Sequence, residues 1–180
     1  MFEVNFGTKS PNSYPPFVLR TSQGKEIVFS GSIDRVDLLD EGADSAANER
    51  QKLAHIIDYK SGSRLISAKE AEKGRNLQLP IYALALEEAI LPTSRVAKAD
   101  YLSIGAARSV GNINFESEKH SEIKANAREL VKEYVHNVEQ GIFTVRPNGQ
   151  DVCKDCLHAT VCRVAELKPQ FAEENDASSD

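Results

Sequence analysis

The chain has 180 residues, with 22 Lys and Arg against 27 Asp and Glu for a net charge of −5. That length holds about one domain with a core of its own, and 41% hydrophobic with 27% charged residues is an ordinary globular composition. The acidic balance does not announce a nucleic-acid binder, although a local basic groove can sit on an acidic domain, and no apolar run is long enough to span a membrane.

In chain order, residues 1–16 read as irregular, because Pro11, Pro15 and Pro16 with Asn12 and Ser13 make a loop. Met1 to Gly7 lacks the charged-then-apolar pattern of a secretion signal. Phe17 to Arg20 reads as a strand and Ser22 to Lys25 as a turn. Glu26 to Asp40 gives one or two strands, with Gly31 as a break where the backbone bends or approaches something closely. Glu41 to Lys52 is polar and charged without an apolar period, and is expected to be an exposed hairpin loop. Leu53 to Lys60 is the next strand, pairing antiparallel with the segment around Asp34. Ser67 opens a capping-box pattern. Asn76 to Ala89 favours helix, with Pro80 in its first turn. Ala99 to Ile104 and Ile113 to Phe115 read as strands, and Ser117 to Gln140 as a long helix ended by Gly141. The order of elements predicts a mixed α/β domain with a small central sheet. The boundaries are an irregular segment 1–16, a core 17–145, a cysteine segment 146–168 and a disordered acidic tail 169–180.

The chemistry concentrates in His55-Ile-Ile-Asp-Tyr-Lys-Ser-Gly62. A strand alternates faces, so Ile56, Asp58 and Lys60 share one face and His55, Ile57 and Tyr59 the other. A carboxylate and an ammonium ending an apolar strand are costly to desolvate unless they pair or hold a ligand. Either they form a structural ion pair, or they hold a metal and a reacting group. Asp34 on the neighbouring strand adds a second carboxylate, and two carboxylates suit an oxygen-ligated Mg²⁺ or Mn²⁺. The Tyr59 carbonyl is a further candidate ligand, and Lys60 can orient a metal-bound water or offset charge on a phosphate. Gln78 and Tyr82, four apart, lie on one helical face and add polar tips, while Arg75 just before them could contact a phosphate.

Gly31-Ser-Ile-Asp34-Arg-Val-Asp37, Ile57-Asp58-Tyr59-Lys60-Ser-Gly62, Gln78-x3-Tyr82 and Cys153-x2-Cys156-x5-Cys162, in that order, resemble the RecB-like branch of the PD-(D/E)XK nucleases. The look is nearest to the C-terminal nuclease domain of AddB-type helicase–nuclease subunits, and CRISPR-associated exonucleases with an iron–sulfur cluster are similar. The resemblance covers roughly residues 25 to 165. It implies a restriction-endonuclease-like core, a small mixed sheet flanked by helices. It implies Asp34 and Asp58 as metal ligands with the Tyr59 carbonyl, Lys60 as the catalytic lysine, and Gln78 with Tyr82 as the motif that follows it. Asp37 is a lesser candidate, because the matching aspartate is the first of the two. The implied activity is metal-dependent exonucleolytic cleavage of DNA beside a helicase in recombination or repair. Two departures stand out: no helix with a metal-binding histidine precedes Phe17, and the upstream fourth cysteine of the branch is missing. Both are read as a domain cut inside its nuclease core or shortened in evolution.

All three cysteines lie between Cys153 and Cys162. Without a secretion signal, such a cluster reads as metal binding in a reducing, cytoplasmic compartment. Thiolates suit Zn²⁺ or an iron–sulfur cluster. The resemblance favours a [4Fe-4S] cluster, His158 would complete a Cys₃His zinc site, and three free thiols are the bland alternative. His55, His120 and His136 are expected at the surface or at strand ends. Lys124, Arg128 and Lys132 recur every four residues among Glu122, Glu129 and Glu133, and read as a solvated helix face rather than a DNA path. The rival functions are a non-catalytic DNA- or subunit-binding module with a nuclease fold, a CRISPR-associated-type exonuclease, and a small zinc-binding interaction domain.

Overall fold

The computed structural model of the chain describes residues 1–40, 52–62, 68–145, 153, 156–158 and 161–162. The loop expected over Glu41 to Lys52 lies outside these residues except at Lys52, and so do Arg64, Ser67 and the acidic tail. The chain divides into two compact units, Met1–Val135 and His136–Asp180.

The first unit is built on strands β1 Phe2–Phe6, β2 Phe17–Arg20, β3 Glu26–Phe29, β4 Gly31–Asp40, β5 Lys52–Lys60, β6 Ser94–Ser103 and β7 Arg108–Asn114. Helices α1 Ala68–Glu72 and α2 Gln78–Ala85 lie between β5 and β6, and α3 Ile123–Glu139 follows β7. Five strands form one sheet in the order β1-β4-β5-β6-β7, and β2 and β3 form a separate hairpin. Every pairing in the sheet is antiparallel except β5 with β6. A parallel pair needs a crossover, which α1 and α2 supply. The result is the expected mixed α/β fold, a five-stranded mixed sheet flanked by helices, consistent with a restriction-endonuclease-like core.

The core lies on one face of the sheet. Along β5 the side chains of Ala54, Ile56 and Asp58 are buried and their neighbours are not, as period-two alternation dictates. They meet α2, where Leu79, Pro80, Ala83, Leu84 and Ala85 are all buried. Each fully buried aliphatic side chain contributes about 1.5–3 kcal/mol. Pro80 is the third residue of α2, within the first turn where its missing N–H costs nothing. A single π-helical turn, Leu86–Ile90, prolongs α2. In β4 both Ile33 and Val36 are fully buried, so the alternation slips once between them, beside Asp34. Gly31 is the close approach expected of it: a Cβ there would stand 3.1 Å from the Phe6 ring.

Four expectations need correction. Residues 1–16 are not irregular throughout, because Phe2–Phe6 is an edge strand on β4. Phe2, Val4 and Phe6 carry the period-two signal that the nearby prolines obscured. The long helix starts at Ile123 rather than Ser117, because Glu118–His120 forms a separate 3₁₀ turn. His120 is not a surface residue: it is buried, with Nδ1 accepting the Asn114 N–H at 3.2 Å and Nε2 3.0 Å from Glu72. Strands β6 and β7 also begin earlier than their apolar cores suggested.

In the second unit, α3 ends as expected at Gly141, which adopts φ +68° while the Ile142 N–H returns to the Asn137 carbonyl at 2.8 Å.

Candidate active site

Asp58 and Lys60 lie at the C-terminal end of β5 on its buried face. Asp58 is 3% exposed, and its Oδ2 is 2.6 Å from the Lys60 ammonium. The approach has the distance of an ion pair without hydrogen-bond alignment, so Asp58 Oδ2 is a buried oxygen with no hydrogen-bond partner. Its other oxygen accepts from Gln78 Nε2 at 2.9 Å. Burial pushes the Asp58 carboxyl above the usual carboxylate range; Lys60 pulls it back down and the negative charge of Asp34 adds to the rise.

Gln78 is the hub. Its Oε1 accepts from Lys60 Nζ at 3.0 Å and lies 3.4 Å from the Tyr101 hydroxyl. Its Nε2 donates to Asp58 and, at 3.3 Å, to the Tyr82 hydroxyl. Tyr82 in turn packs edge-on against Phe6 with ring centroids 6.2 Å apart. The first turn of α2 thus brings an amide and a phenol to the end of β5, as the four-residue spacing implied.

Asp34 reaches the same end of the sheet from β4. One of its oxygens accepts the main-chain N–H of Tyr59 at 2.8 Å, just past the last paired position, Arg35 opposite Ile57. Asp34, Tyr59, Phe2 and Glu3 line an open cleft. Asp37 is engaged elsewhere, in a bidentate pair with the Arg35 guanidinium at 2.8 and 2.7 Å.

Sequence reasoning missed Asn76 and Tyr101. Tyr101 pairs across from Asp58 on β6 and is 2% exposed. Its ring centroid lies 5.0 Å from the Lys60 ammonium, and its hydroxyl donates to Asn76 Oδ1 at 2.7 Å. The same Asn76 oxygen accepts the Gln78 N–H at 3.1 Å, at the start of α2. An asparagine before a helix was a readable cap signal; Tyr101, in an apolar strand, offered none.

Asp34, Asp58 and the Tyr59 carbonyl are hard oxygen donors of the kind Mg²⁺ or Mn²⁺ takes. Asp58 fits such a ligand: burial disfavours its charge, Lys60 offsets this only in part, and a cation would offset the rest. Among the described residues no group of three or more His, Cys, Asp or Glu side chains gathers, so an ion here would rest on two carboxylates, main chain and water. In the second unit, Cys153, Cys156 and Cys162 are free thiols, and the Cys162 N–H donates to the His158 carbonyl at 2.9 Å. Among the described residues, no group of three or more His, Cys, Asp or Glu side chains gathers there.

The basic row of α3 is paired with carboxylates. Lys124 holds Glu87 at 2.7 Å, Arg128 holds Glu88, and Lys132 holds Glu129 at 2.7 Å. Arg20 pairs with Glu26 at 2.8 Å. No described helix is long and apolar enough to cross a membrane.

The sequence profile of the PD-(D/E)XK nuclease superfamily matches residues 1–163. Among curated proteins, the chain is similar to an ATP-dependent helicase/deoxyribonuclease subunit of Clostridioides difficile (strain 630), 40% identical over 87 residues, 48% of this chain and 7% of that protein. It is similar to the proteins of the same name from Caldanaerobacter subterraneus subsp. tengcongensis, 36% identical over 57% of this chain and 8% of that protein, and from Clostridium novyi (strain NT), 30% identical over 76% and 12%. The matched part is thus 7–12% of the length of these relatives.

Proposed function

Given that the chain belongs to the PD-(D/E)XK nuclease superfamily, we propose that it is a metal-dependent deoxyribonuclease domain, exonucleolytic in action, working beside a helicase in DNA recombination or repair. The observation that carries the reading is the convergence of Lys60 and Gln78 on the two oxygens of one buried carboxylate, Asp58, with Asp34 beside it. The helicase partnership rests on similarity to proteins that carry helicase in their name.

In this reading Asp34 and Asp58 hold Mg²⁺ or Mn²⁺, with the Tyr59 carbonyl as a third oxygen. The bound ion supplies a lowered pKa for its water and positive charge for the phosphate. Lys60 orients the attacking water and offsets negative charge that builds on the phosphate. Gln78 holds Lys60 and Asp58 at fixed separation, and Tyr82 holds Gln78. The same reading gives Cys153, Cys156 and Cys162 to a [4Fe-4S] cluster, with zinc as the alternative; iron, sulfide and zinc analysis of the purified chain decides that part independently.

The test is degradation of end-labelled single- and double-stranded DNA with Mg²⁺ or Mn²⁺, beside EDTA and Lys60→Ala controls. Cleavage that needs both the ion and Lys60 is expected. Cleavage that survives Lys60→Ala overturns the assignment of roles. DNA binding without cleavage under any of these ions favours a non-catalytic module of the same fold.

A further inference from the structure

The nuclease reading leaves a question open: what keeps the Lys60 ammonium where it is. A lysine head group is a point charge on a flexible four-carbon stem, with about 2 kcal/mol of rotamer entropy to lose. The Lys60 side chain is 29% exposed, so solvent competes for it. Asp58 and Gln78 each touch it from one side. Tyr101 presents its ring to the ammonium, with the centroid 5.0 Å away, inside the range for cation–π attraction. The ring cannot drift, because the Tyr101 hydroxyl donates to Asn76 at 2.7 Å and the residue is almost wholly buried. Asn76 cannot drift either, because its oxygen also takes the N–H of Gln78. One asparagine oxygen therefore ties β6 to the first turn of α2, and both of the parts it joins touch Lys60.

We infer that Tyr101, anchored by Asn76, is a positioning residue that fixes the Lys60 ammonium between Asp58 and Gln78. Its kinetic consequence rests on the nuclease reading; its structural consequence does not.

The experiment compares wild type with Tyr101→Phe, Tyr101→Leu and Asn76→Ala in the full chain. The first readout needs neither metal nor DNA. With ¹³Cε-labelled lysine, and the Lys60 signal assigned by its loss in Lys60→Met, the Lys60 Hε resonances should stand upfield of the other lysines through the ring current of Tyr101. They should stay upfield in Tyr101→Phe, move partway back in Asn76→Ala, and return to the ordinary lysine position in Tyr101→Leu. The second readout is steady-state DNA cleavage. Tyr101→Leu should lower kcat by about 10²-fold, the scale for a misplaced reacting group, with KM changed less than about twofold. Tyr101→Phe should recover most of that loss, and Asn76→Ala should fall between them.

Unshifted Lys60 resonances in wild type overturn the inference, and so does wild-type kcat in Tyr101→Leu. Should Tyr101→Leu fail to fold, Asn76→Ala carries the test, and its identity with wild type in both readouts overturns the inference equally. Wild-type protein that shows the ring-current signature and its loss, yet never cleaves DNA, overturns the nuclease reading and supports the positioning.

Discussion

Asp34 accepts the main-chain N–H of Tyr59 at 2.8 Å, so a carboxylate oxygen takes the place of a strand carbonyl where the β4–β5 ladder ends. That bond gives Asp34 a structural duty separable from any metal. Asp34→Ala leaves the Tyr59 N–H without its acceptor and should cost about 1–3 kcal/mol. Asp34→Asn keeps an acceptor oxygen and should cost less than about 1 kcal/mol, while losing the charge a divalent cation needs. Urea unfolding beside DNA cleavage separates the two. Equal destabilisation by both substitutions would show that the charge, rather than the acceptor, holds the strand end.

Asp58 and Asp100 are each 3% exposed, yet their carboxyls shift in opposite directions. Burial opposes ionisation of both. Asp100, on the other face of the sheet, overcomes it with His55 at 2.6 Å, Ser109 at 2.6 Å, Lys98 at 2.9 Å and Asn112 at 2.8 Å, and is held well below the usual range. Asp58, with Gln78 and a misaligned Lys60, does not overcome it. The signs for stability follow. Asp100, depressed in the folded state, stabilises above its unfolded value near 4 and loses this as pH falls through the folded value. Asp58, raised in the folded state, favours folding at low pH and loses this as pH rises through its raised value. At pH 7 without metal, Asp100→Asn should cost about 2 kcal/mol, while Asp58→Asn should melt at or above wild type. Thermal melts from pH 3 to 8 in EDTA check both, and an Asp58→Asn protein less stable at pH 7 than at pH 3, relative to wild type, contradicts the burial account.

The contrast shows what sequence alone makes legible. Asp58 and Lys60 stood out because two charges at period two end an apolar strand, and Gln78 with Tyr82 because four residues is one helical turn. Local periodicity carries that information. Tyr101 does not stand out, because its meaning comes from the parallel pairing of β5 with β6, which no local pattern encodes, and the same contact gives Asn76 a role beyond its local bond to Gln78. Asp100 lies inside an apolar run and, apart from Lys98 on its own strand, takes its partners from β5 and β7. His120 was misplaced for the same reason, since Glu72, which makes it a buried residue, is 48 positions away. The sheet order, likewise, rests on contacts far apart in sequence.

Helix α3 shows a basic row whose charge is already spent. Lys124 is bound to both oxygens of Glu87 at 2.7 and 3.0 Å, and Glu87 also accepts the Val96 N–H. Arg128 and Lys132 hold Glu88 and Glu129. A lysine that neutralises a phosphate contributes about one unit to the slope of log affinity against log salt. Replacing Lys124, Arg128 and Lys132 together with alanine should leave that slope within about one unit of wild type, as read by fluorescence anisotropy on labelled DNA. A fall of about three units would place this face on the DNA.

Gly74 tests whether the approach to the site is built into the backbone. It lies between α1 and α2, two residues before Asn76, and adopts φ +66°. A non-glycine residue pays about 1–2 kcal/mol in that region. The site is also closed by packing: a Cβ added at Gly74 would collide with Leu130 Cδ1 of α3. Overpacking of this kind costs about 1–3 kcal/mol. Gly74→Ala should therefore destabilise by about 2–5 kcal/mol in urea unfolding, combining the two terms. The terms can be separated with a double-mutant cycle. In a Leu130→Ala background the collision is gone, so Gly74→Ala should cost only the backbone part. An equal cost in both backgrounds would assign the whole effect to φ.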